Sequence, residues 1–175
     1  MNLLNIIVGS ISQSTARVFA TMVGAELGSG ESSIETGTPD SNDGVVSFIG
    51  VAGSWAGTAS LTCSPSLACR ICSQMLMTEF ATVDEEVLDA VAELTNMIIG
   101  GVKTELEAHL GPLGLSIPTV VFGRNFRTKS ASADWIVVRF PWEGEYFIVK
   151  MCLAPNERAA HPIHHTIGRI CTPDV

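Results

Sequence analysis

Residues 3–27 place apolar side chains at Ile7, Ile11, Val18, Met22 and Leu27, close to the 3.6-residue period of a helix with one buried face. Gly28 reads as its C-terminal stop. From Gly28 to Gly44 the chain is rich in Gly, Ser, Thr, Pro and Asp, a loop composition with one possible short strand at Ser32–Thr36. Two strand-like runs follow, VVSFIGVAG and GTASLTCS, joined in hairpin fashion through GSWAG. The segment SPSLACRICSQMLM returns to helical spacing over residues 65–77. Ser64 caps it, Pro65 suits its first turn, and Leu67, Ile71 and Met75 share a face.

The longest helical pattern covers residues 84–110, roughly 40 Å if unbroken. Asp84, Glu85 and Glu86 crowd its start, where the helix dipole favours negative charge, and His109 with Leu110-Gly111-Pro112 marks its end. Three strand-like segments come next: SIPTVVFG, DWIVVRF and EYFIVKMCL, the last two joined by the turn sequence PWEG. Beyond Pro155 the tail shows no periodicity.

Sliding the chain so that Leu27-Gly28 falls on Leu110-Gly111 also brings Ile34 onto Ile117, a shift of 83 residues. Each half then reads helix, short strand and two strands joined by a turn. These patterns predict an α/β (α+β) domain over 1–155. It is a pseudo-twofold duplication of a helix plus a three-stranded antiparallel unit, with long helices packed on β-sheet. The halves cover about 3–63 and 84–153, helix 65–77 joins them, and 156–175 form a C-terminal tail.

Composition narrows the function. With 46% apolar and 16% charged residues the chain is globular rather than disordered. A net charge of −8 and only 10 scattered Lys and Arg argue against a nucleic-acid partner. No uninterrupted run of eighteen apolar residues suggests a membrane span, and the N-terminus lacks a secretion signal. Cys63, Cys69, Cys72, Cys152 and Cys171, an odd number, fit reduced thiols in the cytosol.

The chemistry concentrates in the long helix. Leu88, Val91, Leu94, Ile98, Val102 and Leu106 supply a core-facing side, while Asp89, Glu93, Asn96 and Lys103 fall on another. Glu93 and Asn96 are three residues apart, so they project from neighbouring turns toward one point. Gly100 and Gly101 follow in mid-helix, where each costs about 1 kcal/mol relative to Ala, and such glycines permit close approach of a helix or a partner. Spacing alone leaves the polar stripe open between a solvated face and a working surface.

The motif Asp89-xxx-Glu93-xx-Asn96, with Pro118 twenty-two positions after Asn96, resembles the signature of the CheC/CheX family of chemotaxis phosphatases. GVVSFIGVAGSWAGTASLTCSPSLACRICSQML is similar to that family's hairpin and following helix, and ELTNMIIGGVKTEL with LSIPTVVFG to its active-site helix and next strand. The likeness extends roughly over residues 3–153 and lies nearer the CheX branch, because only one half carries the full signature. It implies a CheC-like fold and hydrolysis of the aspartyl phosphate of a CheY-like response regulator. In that reading Glu93 pairs with the regulator's lysine, Asn96 orients the attacking water, Asp89 supports them and Pro118 closes the motif. It implies a phosphorylated CheY-like receiver domain as partner, a homodimer, and no cofactor of the chain's own, with Mg2+ coming from the receiver. The 83-residue overlay sets Ser10 opposite Glu93 and Gln13 opposite Asn96, so the first half is expected to hold a degenerate second site without activity.

Other patterns compete. The same fold could serve as a receiver-binding module without catalysis. Cys69 and Cys72 have redox-motif spacing, but they sit inside a helical pattern, which favours buried thiols. His161, His164, His165 and Cys171 offer weak metal-site spacing. Arg124, Arg127 and Lys129 gather positive charge that could steer an acidic partner or merely solvate a loop.

Overall fold

A computed structural model describes residues 2–36, 41–127 and 134–156. Its first helix, α1 (Leu3–Val18), is capped by Asn2 and stops well before Gly28. A π turn at Phe19–Val23 follows, and Gly24, at a φ of 70°, takes the left-handed position and returns its N–H to the Phe19 carbonyl. The apolar pattern runs past this stop because Ala25 and Leu27 pack on the core after the helix has ended. Leu3–Val23 is long and apolar enough to cross a membrane by length and composition, but 44% of that window is buried inside this fold.

Strand β1 (Glu31–Thr36) precedes the hairpin of β2 (Ser41–Gly53) and β3 (Trp55–Cys63). Helix α2 (Pro65–Leu76) begins at Ser64, whose hydroxyl accepts the Leu67 N–H at 3.1 Å and donates to Glu145. It ends on Met77, held at a φ of 53° with 94% of its surface exposed. A left-handed backbone costs a non-glycine residue about 1 kcal/mol, and no packing compensates here. Met77→Gly is therefore expected to raise the free energy of unfolding by about 0.5–1 kcal/mol in a urea titration. A lower value would show that the methionine stabilises the cap.

Asp84 caps α3 (Glu85–Leu110) by accepting the Val87 N–H at 3.0 Å. Gly111 ends it, and the Glu107 carboxylate then accepts the Leu113 N–H at 2.9 Å. That contact starts β4 (Leu113–Leu115), a strand too short to show in the sequence. Next come β5 (Thr119–Arg127), β6 (Asp134–Trp142) and β7 (Glu145–Pro155). The last two are joined by Glu143 and Gly144, both at positive φ, as a tight two-residue hairpin requires. Asn156 continues the pairing, bonding to Ser54 and Gly53.

The seven strands form one antiparallel sheet in the order β1-β6-β7-β3-β2-β4, with β5 also on β2. The two hairpins meet along β3 and β7, as a duplication predicts. The outer strands are exchanged, however: β1 of the first half pairs with β6, and β5 of the second pairs with β2. The three-stranded units are thus interleaved rather than separate.

Alternation along the strands divides the sheet's faces. Val45, Ile49, Leu61, Val138, Phe147 and Val149 join the buried helix residues in one core. Phe19 sits in it with Phe147 stacked at 4.6 Å and Trp142 edge-on at 5.7 Å. The alternate residues are more polar. Lys150 donates to Glu35 at 2.8 Å, and Arg139 donates to Glu35 and to Ser33. Burial opposes the Glu35 charge, but Lys150 and Arg139 outweigh it and hold this carboxyl below its ordinary value.

Candidate functional site

Helix α3 turns one side wholly inward: Val87, Ala90, Val91, Leu94, Ile98, Val102 and Leu106 are buried. Asp89, Glu93 and Asn96 come out on the opposite side, all exposed. Among the described residues, none of the three makes a hydrogen bond or an ion pair. Lys103, the fourth residue of the predicted stripe, is half-buried and tied to Glu107 at 3.0 Å. The unengaged part of the stripe is therefore the acid–amide pair with Asp89 one turn before it.

The helix beneath them is firmly set. Ser14 of α1 donates to the Ile98 carbonyl at 2.7 Å, and Thr95, fully buried, donates to the Val91 carbonyl at 2.7 Å. The two helices close on Gly101, where a Cβ would stand 2.2 Å from the Ser14 hydroxyl. On the other flank the Cys72 thiol reaches the Glu86 carbonyl at 3.8 Å. Polar side chains on such a support lose little entropy when a partner arrives, because their backbone is already ordered.

Pro118 lies half-buried at the entry to β5. The link before it is fastened to β2 by Ser116, whose N–H and hydroxyl bond the Gly50 carbonyl and N–H, each at 2.9 Å. Its place is along the chain's route from α3 back into the sheet. In the first half, Gln13 is exposed but Ser10 is buried, at 5% exposure. Only the amide of that pair reaches the surface, a difference that an overlay of sequence positions cannot show.

The cysteine motif is interior. Cys63, Cys69 and Cys72 are free and buried, and Cys152 is buried too. Burial first, and then the nearby Glu145 carboxylate, pushes the Cys63 thiol up to about 12. Burial and then Asp84, Cys69 and Glu86 push Cys72 up to about 11, and burial also raises Cys69. Such thiols keep their protons at neutral pH and supply no thiolate for exchange. Among the described residues no three His, Cys, Asp or Glu side chains gather as a metal site. His161, His164, His165, Cys171 and Lys129 lie outside the described residues. Arg124 and Arg127 are exposed on β5, and Arg124 helps line an open cavity of about 940 Å³ with Arg70, Phe80 and Phe122. The sequence reading missed that cavity, because α2, β5 and the chain before α3 meet there only in the fold.

Comparison with known proteins follows the same helix. The family model described as chemotaxis phosphatase CheX matches residues 45–140, from β2 into β6, and so includes Glu93, Asn96 and Pro118. The CheY-P phosphatase CheX of Thermotoga maritima is 36% identical over 88 residues, covering 49% of this chain. The match spans 56% of that protein, little more than half its length. A CheC-like superfamily protein from Shewanella sp. PV-4 superposes with a TM-score of 0.76 at 29% identity, covering 88% of this chain and 99% of that one. The complex of CheX with CheY, BeF3 and Mg2+ from Borrelia burgdorferi is a likeness of fold, with a TM-score of 0.67 at 23% identity over 83% of this chain and 96% of that chain.

Proposed function

We infer the function from the premise that this chain belongs to the CheX family of chemotaxis phosphatases. We propose that it hydrolyses the aspartyl phosphate of a CheY-like response regulator, with Glu93 and Asn96 as its working groups. The observation that carries this reading is the exposed pair itself, unengaged and one turn apart on a well-packed helix within the family-matched segment. The activity named for the Thermotoga relative supports the choice of substrate.

The chemistry asks little of the protein. In an acyl phosphate the leaving carboxylate is already good, so hydrolysis needs a water held in line with the bond that breaks and relief of charge on the phosphoryl oxygens. The Asn96 carboxamide oxygen accepts from that water while its nitrogen donates to a second group, a division of labour open to a neutral amide at any physiological pH. Water attacks phosphorus, the P–O bond to the receiver aspartate breaks, and inorganic phosphate departs. Glu93 forms an ion pair with the receiver's lysine and fixes the register of the two proteins. Asp89, one turn earlier, adds negative charge on the same side. Charge relief at the phosphoryl group belongs to Mg2+ held by the receiver, so the chain needs no metal of its own.

The proposal extends to the first half, where Gln13 offers an amide without an exposed acid beside it and the second site is inactive. It includes the homodimer that the family resemblance implies and a cytoplasmic location alongside the regulator. A binding module without catalysis would need the surface of α3 but not both polar groups, and their joint presence favours the enzyme.

Phosphate release from a panel of phosphorylated CheY-like receivers tests this reading. Wild type and Gln13→Ala should both accelerate release over spontaneous hydrolysis, to a similar extent. If wild type binds a receiver without accelerating its hydrolysis, the module reading replaces the enzyme. A large loss in Gln13→Ala would show that the first half is active.

A further inference from the structure

Two consecutive glycines interrupt α3, and the fold accounts for only one of them. Gly101 faces α1: a Cβ there would lie 2.2 Å from the Ser14 hydroxyl and 2.9 Å from the Arg17 guanidinium, so no side chain fits. Gly100 is different. A Cβ added to it would meet nothing within 4 Å, and its backbone is helical, so alanine could replace it without strain. Helices favour alanine over glycine at such a position, and nothing among the described residues opposes it.

The position explains what the fold does not. Gly100 stands four residues after Asn96 and seven after Glu93, on the same exposed side of the helix. Helical side chains lean toward the N-terminus, so a side chain at 100 would project over the turn that carries Asn96. Asn96 itself is short, and its amide reaches another protein only if that protein's surface comes close to the helix backbone. The next residues along this face do not fill the gap: Lys103 is tied to Glu107 at 3.0 Å, and the Thr104 hydroxyl turns back onto the Gly100 carbonyl at 3.0 Å.

We propose that Gly100 keeps a bare step on α3 into which the rim of the receiver's active site descends, and that this clearance sets how tightly the two proteins dock. Gly100 is then a positioning residue for docking and takes no part in the chemistry. The inference rests on the receiver reading and adds a size limit to it.

The test uses Gly100→Ala and Gly100→Leu in the full chain. Both should melt at or above the wild-type temperature. With a phosphorylated CheY-like receiver, Gly100→Leu should raise KM by about tenfold or more, Gly100→Ala by less, and kcat should change little in either. Binding of a beryllofluoride-activated CheY-like receiver should weaken in the same graded order. Wild-type KM and affinity in a stably folded Gly100→Leu would overturn the proposal. If wild type releases no phosphate from any receiver, the phosphatase reading fails on its own, and the binding series still decides this one. Graded weakening supports the step, whereas equal binding, or no binding by wild type, removes it.

Discussion

Asn96→Ala is expected to cut phosphate release from a phosphorylated receiver by about 10²–10³-fold, the scale of losing one preorganised polar group at a transition state. The loss should appear in kcat, since the amide acts on the attacking water and not on the body of the receiver. Stability should not fall. Asn96 is exposed and without a partner among the described residues, and alanine is a better helix former by about 0.5 kcal/mol. Asn96→Asp sharpens the test: it keeps the shape but places a negative charge beside the phosphoryl oxygens, so it should fail as badly as alanine. Glu93→Ala should separate from both by weakening receiver binding more than turnover. An Asn96→Ala variant with wild-type kcat would remove the amide from the mechanism, however well it bound.

Phe19→Ala carries the largest expected cost to stability, about 3–5 kcal/mol for deleting a fully buried aromatic ring. The ring is wholly enclosed and touches Phe147 and Trp142, while Phe147 stacks in turn on Phe140 at 5.2 Å. These partners belong to the β6–β7 hairpin, so one side chain joins the end of the first helix to the second half of the chain. Domains of this size are stable by only about 5–15 kcal/mol in total, so the variant should lie near the edge of folding at 37 °C. Chemical denaturation measures the effect. A change below about 1 kcal/mol would mean that the surrounding rings close over the gap.

Local chemistry made much of this fold legible. The cap at Ser64, the acidic start of α3, the stop at Gly111 and the PWEG turn are each decided by a few neighbouring residues, and the structure has them at those places, with Asp84 as the cap of α3 and not its first helical residue. Glu93 and Asn96 were legible because they break an apolar run at helical spacing, and both emerge at the surface. The features that escaped depend on distant partners. Apolar periodicity carried the first helix to Gly28, since Met22 and Leu27 are core residues whether or not the backbone there is helical. Alternation of apolar and polar residues identifies a strand but names no neighbour, so the exchange of β1 and β5 between the halves was hidden. Ser10 could be aligned with Glu93 by position, but which side of α1 is covered depends on how that helix packs in the fold.

That strand exchange has an architectural consequence. The helix bearing Glu93 and Asn96 packs over β2 and β3 of the first half as well as over β4 and β5 of its own. β5, which follows Pro118, finds its only neighbour among the described strands on β2. A gene fragment encoding the second half alone would therefore lack part of the floor on which its helix stands and the neighbour of its first long strand. Once the halves shared a sheet, neither could be discarded without removing a strand that the other half pairs with.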